Sequence, residues 1–320
     1  MQFKQQKGIA LITILVMVAL ATIIAATIAK RQNLTNENTA FLKRQSQALF
    51  YAKSAEAFYS ELLAQDTETS KEADYLQETW AKPMPAFPVE DGYVSGTLED
   101  ESGKFNLNSL VDKEGKPNPQ AQAYFSKLLV RVGLPAEIVE AVIDWEDPDK
   151  DTLGAMGAED SYYQGLPNPY LVANRKFMSV DELKLVRGFE NEKFDLIAPY
   201  ISALPDIAAK ININTAPAMV LAAIDEKLDV NTIQTALNAR QEKMEYFANV
   251  NDLMKMSPFD TLVAESFAVK SKDALFDVKT NYFQAKIEVM LSERKRQFTS
   301  HLVRNDQGQV YIYARSLAPF

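Results

Sequence analysis

The densest chemical resource of this 320-residue chain lies between residues 137 and 160, which read EIVEAVIDWEDPDKDTLGAMGAED. That stretch holds nine carboxylates against one lysine. Its centre is Asp144, Glu146, Asp147, Asp149 and Asp151, followed by Gly154, Gly157, Glu159 and Asp160. Carboxylates crowded on a glycine-containing loop repel one another unless a cation neutralises them, and hard oxygen ligands suit Ca²⁺. Asp147-x-Asp149-x-Asp151 imitates the opening of an EF-hand loop, but the sixth position is Thr152 and the twelfth is Ala158. The expectation is a calcium site of another kind, with Asp144, Asp147, Asp149, Asp151, Glu159 and Asp160 as ligands and the last two closing it. The competing reading is a solvated acidic face, the usual fate of a charge run. Trp145, Tyr162 and Tyr163, interleaved with the acids, argue for a packed loop.

Other chemistry is scarce. With no cysteine, disulfides, thiolate zinc sites, iron–sulfur clusters and cysteine nucleophiles are excluded. The one histidine, His301, falls on a predicted strand and reads as filler rather than as a base. Gly154-x-x-Gly157 does not open a strand-to-helix phosphate loop. No enzymatic constellation emerges. The net charge of −9 opposes phosphate neutralisation as a binding mode, so nucleic acid is not an expected partner. The charge is also uneven: Lys4, Lys7, Lys30 and Arg31 precede the first acid, Glu37. A basic, apolar N-terminus thus joins a strongly acidic body.

The elements that carry the loop begin with Ile9 to Ala29, 21 residues without a charge and with three threonines as the only polar groups. As a helix this run is roughly 31 Å long, about one hydrocarbon core. One reading is a secretory signal ending at Ala19-Leu20-Ala21. A second places processing between Gly8 and Ile9, and it fits better because the apolar run continues past Ala21 into a further helical pattern. Apolar residues from Leu34 to Leu62 recur at helical spacing, and no proline or glycine interrupts residues 9–82. One helix from about 9 to 64 is predicted, its first half in lipid. Residues 83–91, with three prolines, read as a connector. Strands are expected at 93–100 and 104–107 around a turn at 101–103, and again from Phe283 to Ser316, where alternation is clean.

Residues 119–270 read instead as helices, at 121–132, 136–144, 180–186, 216–223, 231–241 and 250–255. Ser179-Val180-Asp181-Glu182 has the form of a capping box, and Pro217 suits a first helical turn. The block from Ile211 to Leu253 is similar to helix-hairpin-helix repeats of DNA-binding proteins. Its hairpin region at 222–227 lacks glycine, however, and carries Asp225 and Glu226. A membrane-anchored DNA receptor is the alternative reading, which the local acidity disfavours.

Gly8 followed by the apolar helix resembles the type IV prepilin signal, cut after glycine by a prepilin peptidase. Thr13 stands at the fifth mature residue, where most such proteins carry glutamate. That departure marks the minor pseudopilins of the general secretion pathway protein K family of type II secretion. The body is similar to that family too, in chain order. The matching runs are 87–90 with 94–96, 103–108, 142–147 with 157–163, 174–175 with 179–183, 185–189 and 211–216. The resemblance implies an α+β type IV pilin-like fold, a long N-terminal helix packed on an antiparallel sheet, with a large all-α insertion containing helix-hairpin-helix/SAM-like segments. The divisions are a leader (1–8), a transmembrane helix (9–30), a first pilin-like part (31–118), the insertion with its acidic loop (119–270) and C-terminal strands (271–320). It also implies Ca²⁺ in the acidic loop, no enzymatic activity, and an inner-membrane anchor with a periplasmic body. Expected partners are minor pseudopilins I and J in a pseudopilus-tip complex, with secreted substrate or the outer-membrane channel within reach of the tip.

Overall fold

The computed structural model describes residues 7–69, 72–262 and 275–316. Residues 1–6 of the expected leader and the ends of two expected segments, 263–274 and 317–320, lie outside the described residues.

Helix α1 spans Lys7–Thr69 without a break, five residues beyond the end that the apolar spacing predicts. Gly8 and Ile9 lie in its first turn. It is long and apolar enough to cross a membrane. Its threonines are compatible with lipid because each hydroxyl donates to a carbonyl one turn back: Thr13 to Ala10, Thr22 to Val18 and Thr27 to Ile23, at 2.8–2.9 Å. α1 first touches the body at Phe41, whose ring lies under the Arg296 guanidinium, and packs on it fully from Ala48 onward, through Ala48, Ala52, Ala55, Tyr59 and Leu63, all buried. Their spacing makes one helical face.

That face packs on a five-stranded antiparallel sheet of order β1-β2-β7-β8-β9. The strands are β1 (Met84–Val89), β2 (Gly92–Asp100), β7 (Tyr282–Leu291), β8 (Arg294–Arg304) and β9 (Val310–Ser316). In β7 the inward residues Phe283, Ala285, Ile287, Val289 and Leu291 are buried, and the residues between them are half-buried on the outer face. The β7–β8 turn uses Ser292 and Glu293, both at positive φ (47° and 63°), as a tight two-residue hairpin requires. Gly96 leaves room for the Tyr59 ring: a Cβ there would stand 2.8 Å from the phenol oxygen.

Two sequence expectations are corrected here. The proline-rich segment is not a connector but strand β1, antiparallel to β2 with a register shift between Met84 and Phe87. It is an edge strand, where a missing N–H can face solvent at no cost to the ladder. Residues 104–107 do not form a hairpin with β2. The short β3 (Phe105–Asn106) pairs in parallel with β4 (Ile201–Ser202), and the chain then turns into a 3₁₀ segment at Leu107–Ser109. Two-residue pairings between distant segments have no local periodicity to reveal them.

The helical body contains α2 (Pro119–Arg131), α3 (Ile138–Glu146), α4 (Asp160–Tyr163), α5 (Lys193–Ile197), α6 (Ala218–Ala222), α7 (Val230–Glu242) and α8 (Val250–Leu253). A further two-residue parallel pair, β5 (Ile211–Asn212) with β6 (Phe276–Asp277), returns the chain toward the sheet. The capping box at Ser179/Glu182 is formed, opening a 3₁₀ segment, Val180–Leu185, rather than an α-helix. Pro217 sits at the N-cap of α6, one position before the helix. The helices share a second core, distinct from that of α1 and the sheet, and Phe105, Leu107, Leu110 and Val111 belong to it. Packing therefore draws residues 105–111 into the helical body, ahead of residue 119 where the sequence sets its start.

Buried polar groups join the two cores. The Asp100 carboxylate, at the end of β2, accepts from Ser102 N (2.6 Å), Asn212 Nδ2 (3.0 Å) and Thr215 Oγ1 (2.6 Å). Burial pushes its pKa up to about 6 against the pull of these donors. Arg304 of β8 reaches Asp66 of α1 at 2.9 Å, Asp74 after α1, and the Thr280 carbonyl at 2.9 Å. Glu56, buried in α1, receives a two-pronged contact from Arg315 (2.7 and 2.9 Å) and a hydroxyl from Ser300 (2.5 Å).

Because Arg304 is almost enclosed, with a side-chain exposure of 7%, Arg304→Met should leave Asp66 and Asp74 facing one another without a cation. Urea unfolding of the detergent-solubilised chain should show a loss of about 3–5 kcal/mol. Arg315→Met, at a half-exposed position, should cost clearly less.

Candidate metal centre

The centre is built on the C-terminal turn of α3. Helix periodicity turns Ile138, Val139, Val142, Ile143 and Trp145 into the core and brings Asp144 and Glu146 to the buried end of the helix. The chain leaves the helix at Asp147 in extended conformation (φ −68°, ψ 157°), with Pro148 next. It then folds back over the helix end. The Leu153 amide donates to both Asp144 carboxylate oxygens (3.1 and 3.2 Å), and the Met156 amide donates to Glu140 Oε2 (2.7 Å). Two glycines make this return possible. Gly154 has φ +62° with Glu140 against it, and Gly157 lies against Leu153 O and Asp144 Oδ2 where a Cβ would collide. Arg187 fastens the far side, donating to Gly157 O at 3.0 Å with its guanidinium over the Tyr162 ring. Trp145, Tyr163 and Tyr170 pack edge-on or stacked beneath the loop. The packed loop expected from the interleaved aromatics is what forms.

Of the six predicted ligands, the fold gathers three. One oxygen each from Asp147, Asp149 and Glu159 lie within 4.8 Å of one another. Asp147 and Glu159 are 4% exposed and Asp149 is exposed, so the trio opens to solvent on one side. Asp147 Oδ1 and both Glu159 oxygens are buried without a hydrogen-bond partner. Asp144 lies behind the trio, engaged by Leu153. Asp160 is turned away: its Oδ1 accepts from Val172 N (3.2 Å), and Oδ2 faces Lys150 at 3.8 Å. Asp151 is exposed, its amide closing a turn on Asp149 Oδ1 (2.8 Å), and its side chain is not in the trio. Spacing along an irregular loop does not say which way a side chain turns, so the fold sorts the six into a converging trio, Asp144 behind it, and Asp151 and Asp160 directed elsewhere.

Glu146 was not on that list. It is 4% exposed and both of its carboxylate oxygens lack partners. Burial drives its pKa to about 8 against the pull of Lys176, with a smaller push from Asp147. Asp147 rises to about 7, through burial and then repulsion from Asp149 and Asp144. Glu159 also rises to about 7, through burial and the same acids, and Asp144 to about 6. Orphaned, mutually repelling carboxylates with one open side fit a hard divalent cation held by oxygen.

A second acidic group provides a contrast. Asp66, Asp74 and Glu78 also bring oxygens within 4.8 Å. Arg304 is already seated between the aspartates, and Glu78 Oε2 accepts from Trp80 Nε1 (2.7 Å) and Tyr75 N (3.0 Å). That group carries its own cation; among the described residues none stands within the first.

The chain matches the family described as type II secretion system, protein K, over residues 103–206 and again over 211–270. It is 31% identical to type II secretion system protein K of Aeromonas hydrophila over 328 residues, covering 98% of this chain and 97% of the relative. To the protein of that name from Pseudomonas aeruginosa it is 36% identical over 322 residues, 98% of this chain and 93% of the relative. Its fold is similar to a chain of the GspK–GspI–GspJ complex of the enterotoxigenic Escherichia coli type 2 secretion system. The TM-score is 0.77 at 23% identity, over 88% of this chain and 100% of that one.

The raised pKa values set a direction for stability. Asp147 and Glu159 titrate near 7 in the fold against ordinary values of 3.8 and 4.5. Without a cation, the stability they gain by holding protons is complete below those ordinary values and is lost as pH rises through about 7. In chelator, the chain and its Asp147→Asn/Glu159→Gln variant should therefore melt at similar temperatures at pH 4. By pH 8 the variant should melt several degrees higher. A difference that stays constant with pH would count against the assignment.

Proposed function

The chain belongs to the type II secretion system protein K family, and on that premise we propose that it is a minor pseudopilin. It caps the tip of the periplasmic pseudopilus with minor pseudopilins I and J and supports export of folded proteins across the outer membrane. The observation that carries this reading is an architecture in two parts. One is a helix and sheet of pilin form; the other is a bulky helical body with its own core, joined at one end of that sheet. Such a body would crowd every repeat of a helical stack and is accommodated at its end.

The role is assembly, not catalysis. Prepilin peptidase cuts after Gly8 and leaves Ile9 as the new N-terminus. Residues 9–30 then hold the subunit in the inner membrane with the body in the periplasm. Thr13 replaces the glutamate that elsewhere meets the N-terminal amine of a neighbour. An unpaired charge in lipid is costly, so a subunit without that carboxylate can begin a fibre but fits its middle poorly. The acidic loop takes Ca²⁺ as a structural ion, through Asp147, Asp149 and Glu159 with Asp144 and Glu146 close by. The cation offsets the repulsion described above and rigidifies the loop.

The DNA-receptor alternative gains no support. The α6–α7 hairpin presents Asp225 and Glu226, and its Ile224 and Asp225 carbonyls are taken by Lys127 (3.1 Å) and Arg131 (2.7 Å) of α2.

Three measurements test the proposal. Mass spectrometry of the membrane-extracted chain should find a methylated N-terminus at Ile9; a start at Thr22 would support a secretory signal instead. Co-expression should recover minor pseudopilins I and J with this chain in one complex. Calcium should raise the melting temperature by an amount equivalent to about 2.7 kcal/mol at a hundredfold excess over its Kd. Asp147→Asn should weaken binding at least tenfold, whereas Asp151→Asn should change it little.

A further inference from the structure

Two cores on one chain turn against each other unless their interface is broad and apolar or is tied by directional bonds. Among the described residues the chain passes between the cores in three places. A strap runs from Leu63 in the sheet core to Ala73 in the helical core and back to Trp80. A second passage runs from Leu98 to Phe105, and a third from Val278 to Phe283.

One residue meets all three. Alternation along 211–213 turns Ile211 and Ile213 into the helical core and leaves Asn212, fully buried, facing the passages. Its Nδ2 donates to the Asp74 carbonyl on the strap and to Asp100 Oδ2 on the second passage, both at 3.0 Å. Its backbone N–H donates to the Ser102 carbonyl at 2.9 Å. Its partner in β6 is Asp277, immediately before the third passage. Asn212 Oδ1 accepts from the Asn214 amide at 3.0 Å, which keeps the carboxamide from turning over. Both donor hydrogens and the acceptor of this side chain are therefore engaged.

The passages also bond to one another around it. The Asp74 amide donates to Val278 O (2.9 Å), Thr280 N to Asp74 Oδ2 (2.8 Å), and Thr280 Oγ1 to Ser102 Oγ (2.7 Å). Thr215 Oγ1 donates to the same Asp100 oxygen as Asn212, at 2.6 Å, and a Cβ on Gly103 would collide with Thr215. A satisfied buried network specifies one arrangement, because turning one core against the other breaks several bonds at once in low dielectric. Asparagine suits the central place. Aspartate would set a second carboxylate against Asp100, and leucine of similar size offers no donor.

We propose that Asn212 is a positioning residue: it locks the helical body at one angle to α1 and the sheet, and secretion requires that fixed angle. The requirement rests on the minor-pseudopilin reading; the lock itself rests on the geometry of this chain alone.

The absence of cysteine lets paired spin labels be placed at chosen sites. Two double-cysteine versions of the full-length chain in detergent would be compared. Ser54→Cys/Thr235→Cys spans α1 and α7, and Val130→Cys/Thr235→Cys lies within the helical body; all three positions are exposed. Asn212→Leu should broaden the distance distribution of the first pair at least twofold, by pulsed electron resonance, and leave the second unchanged. Two narrow distributions overturn the lock. So do two broadened ones, since Asn212 then holds up the body rather than orienting it. Where Asn212→Leu does not fold, Thr215→Val removes one donor to Asp100 and should broaden the first pair by a smaller amount; an unchanged distribution overturns the lock. In cells lacking their own protein K, Asn212→Leu should reach the membrane at the wild-type level and support at least tenfold less secretion. Full secretion by a chain whose first pair is broadened overturns the requirement for a fixed angle. A wild-type chain that restores no secretion overturns the minor-pseudopilin reading, whereas the distance measurement decides the lock in either case.

Discussion

A buried carboxylate has to be met by a cation or by a full set of donors, because an ion in low dielectric without either is too costly to keep. This chain has no cysteine and one histidine, so carboxylates are its principal means of building polar structure. Each junction in the fold answers that requirement in its own way. Glu56 ties α1 to the sheet because Arg315 and Ser300 meet it. Asp66 and Asp74 hold the end of α1 against β8 because Arg304 stands between them. Asp100 joins the sheet to the helical body through neutral donors alone, and its raised pKa shows that they compensate incompletely. At Asp147, Asp149 and Glu159 the requirement is left open among the described residues, and that is what makes this trio, rather than the cluster around Arg304, the candidate for a cation.

The division of labour follows from these junctions. Apolar packing builds two cores, one under α1 and one among the helices, and neither would position the other by itself. The polar seam at Asp100, Asn212, Thr215 and Thr280 fixes their relation with directional bonds. The helical body is thus held firmly at one end of the sheet, and the acidic loop is carried within that body. A subunit built in this way presents one long helix to its neighbours in the membrane and a broad body beyond the last of them. This is a shape for ending a fibre, and its chemistry serves rigidity.

How much of this was legible before folding depends on the range of the interaction. The capping box at Ser179 and Glu182, the alternation in β7 and the uninterrupted run of α1 are set by neighbours within a few residues, and each appears where the spacing places it. The prolines of β1 suggested a connector because their local effect, loss of a donor, is real; an edge position renders it harmless. The pairing of Phe105–Asn106 with Ile201–Ser202 joins segments almost a hundred residues apart, and no window along the chain contains both.

The acidic loop divides along the same line. Composition alone determined that carboxylates would do any chemistry here, that nine of them sit in one stretch, and that aromatics among them would pack it down. Only the tertiary structure decided which ones converge. The return of the loop over the end of α3 through Gly154 and Gly157 brought Asp147, Asp149 and Glu159 together. It turned Asp160 toward Val172 and Lys150, left Asp151 in solvent, and enclosed Glu146 without a partner. Residue type specifies a charge, but the direction of a side chain on an irregular loop comes from backbone hydrogen bonds that close only when the distant parts of the chain have met.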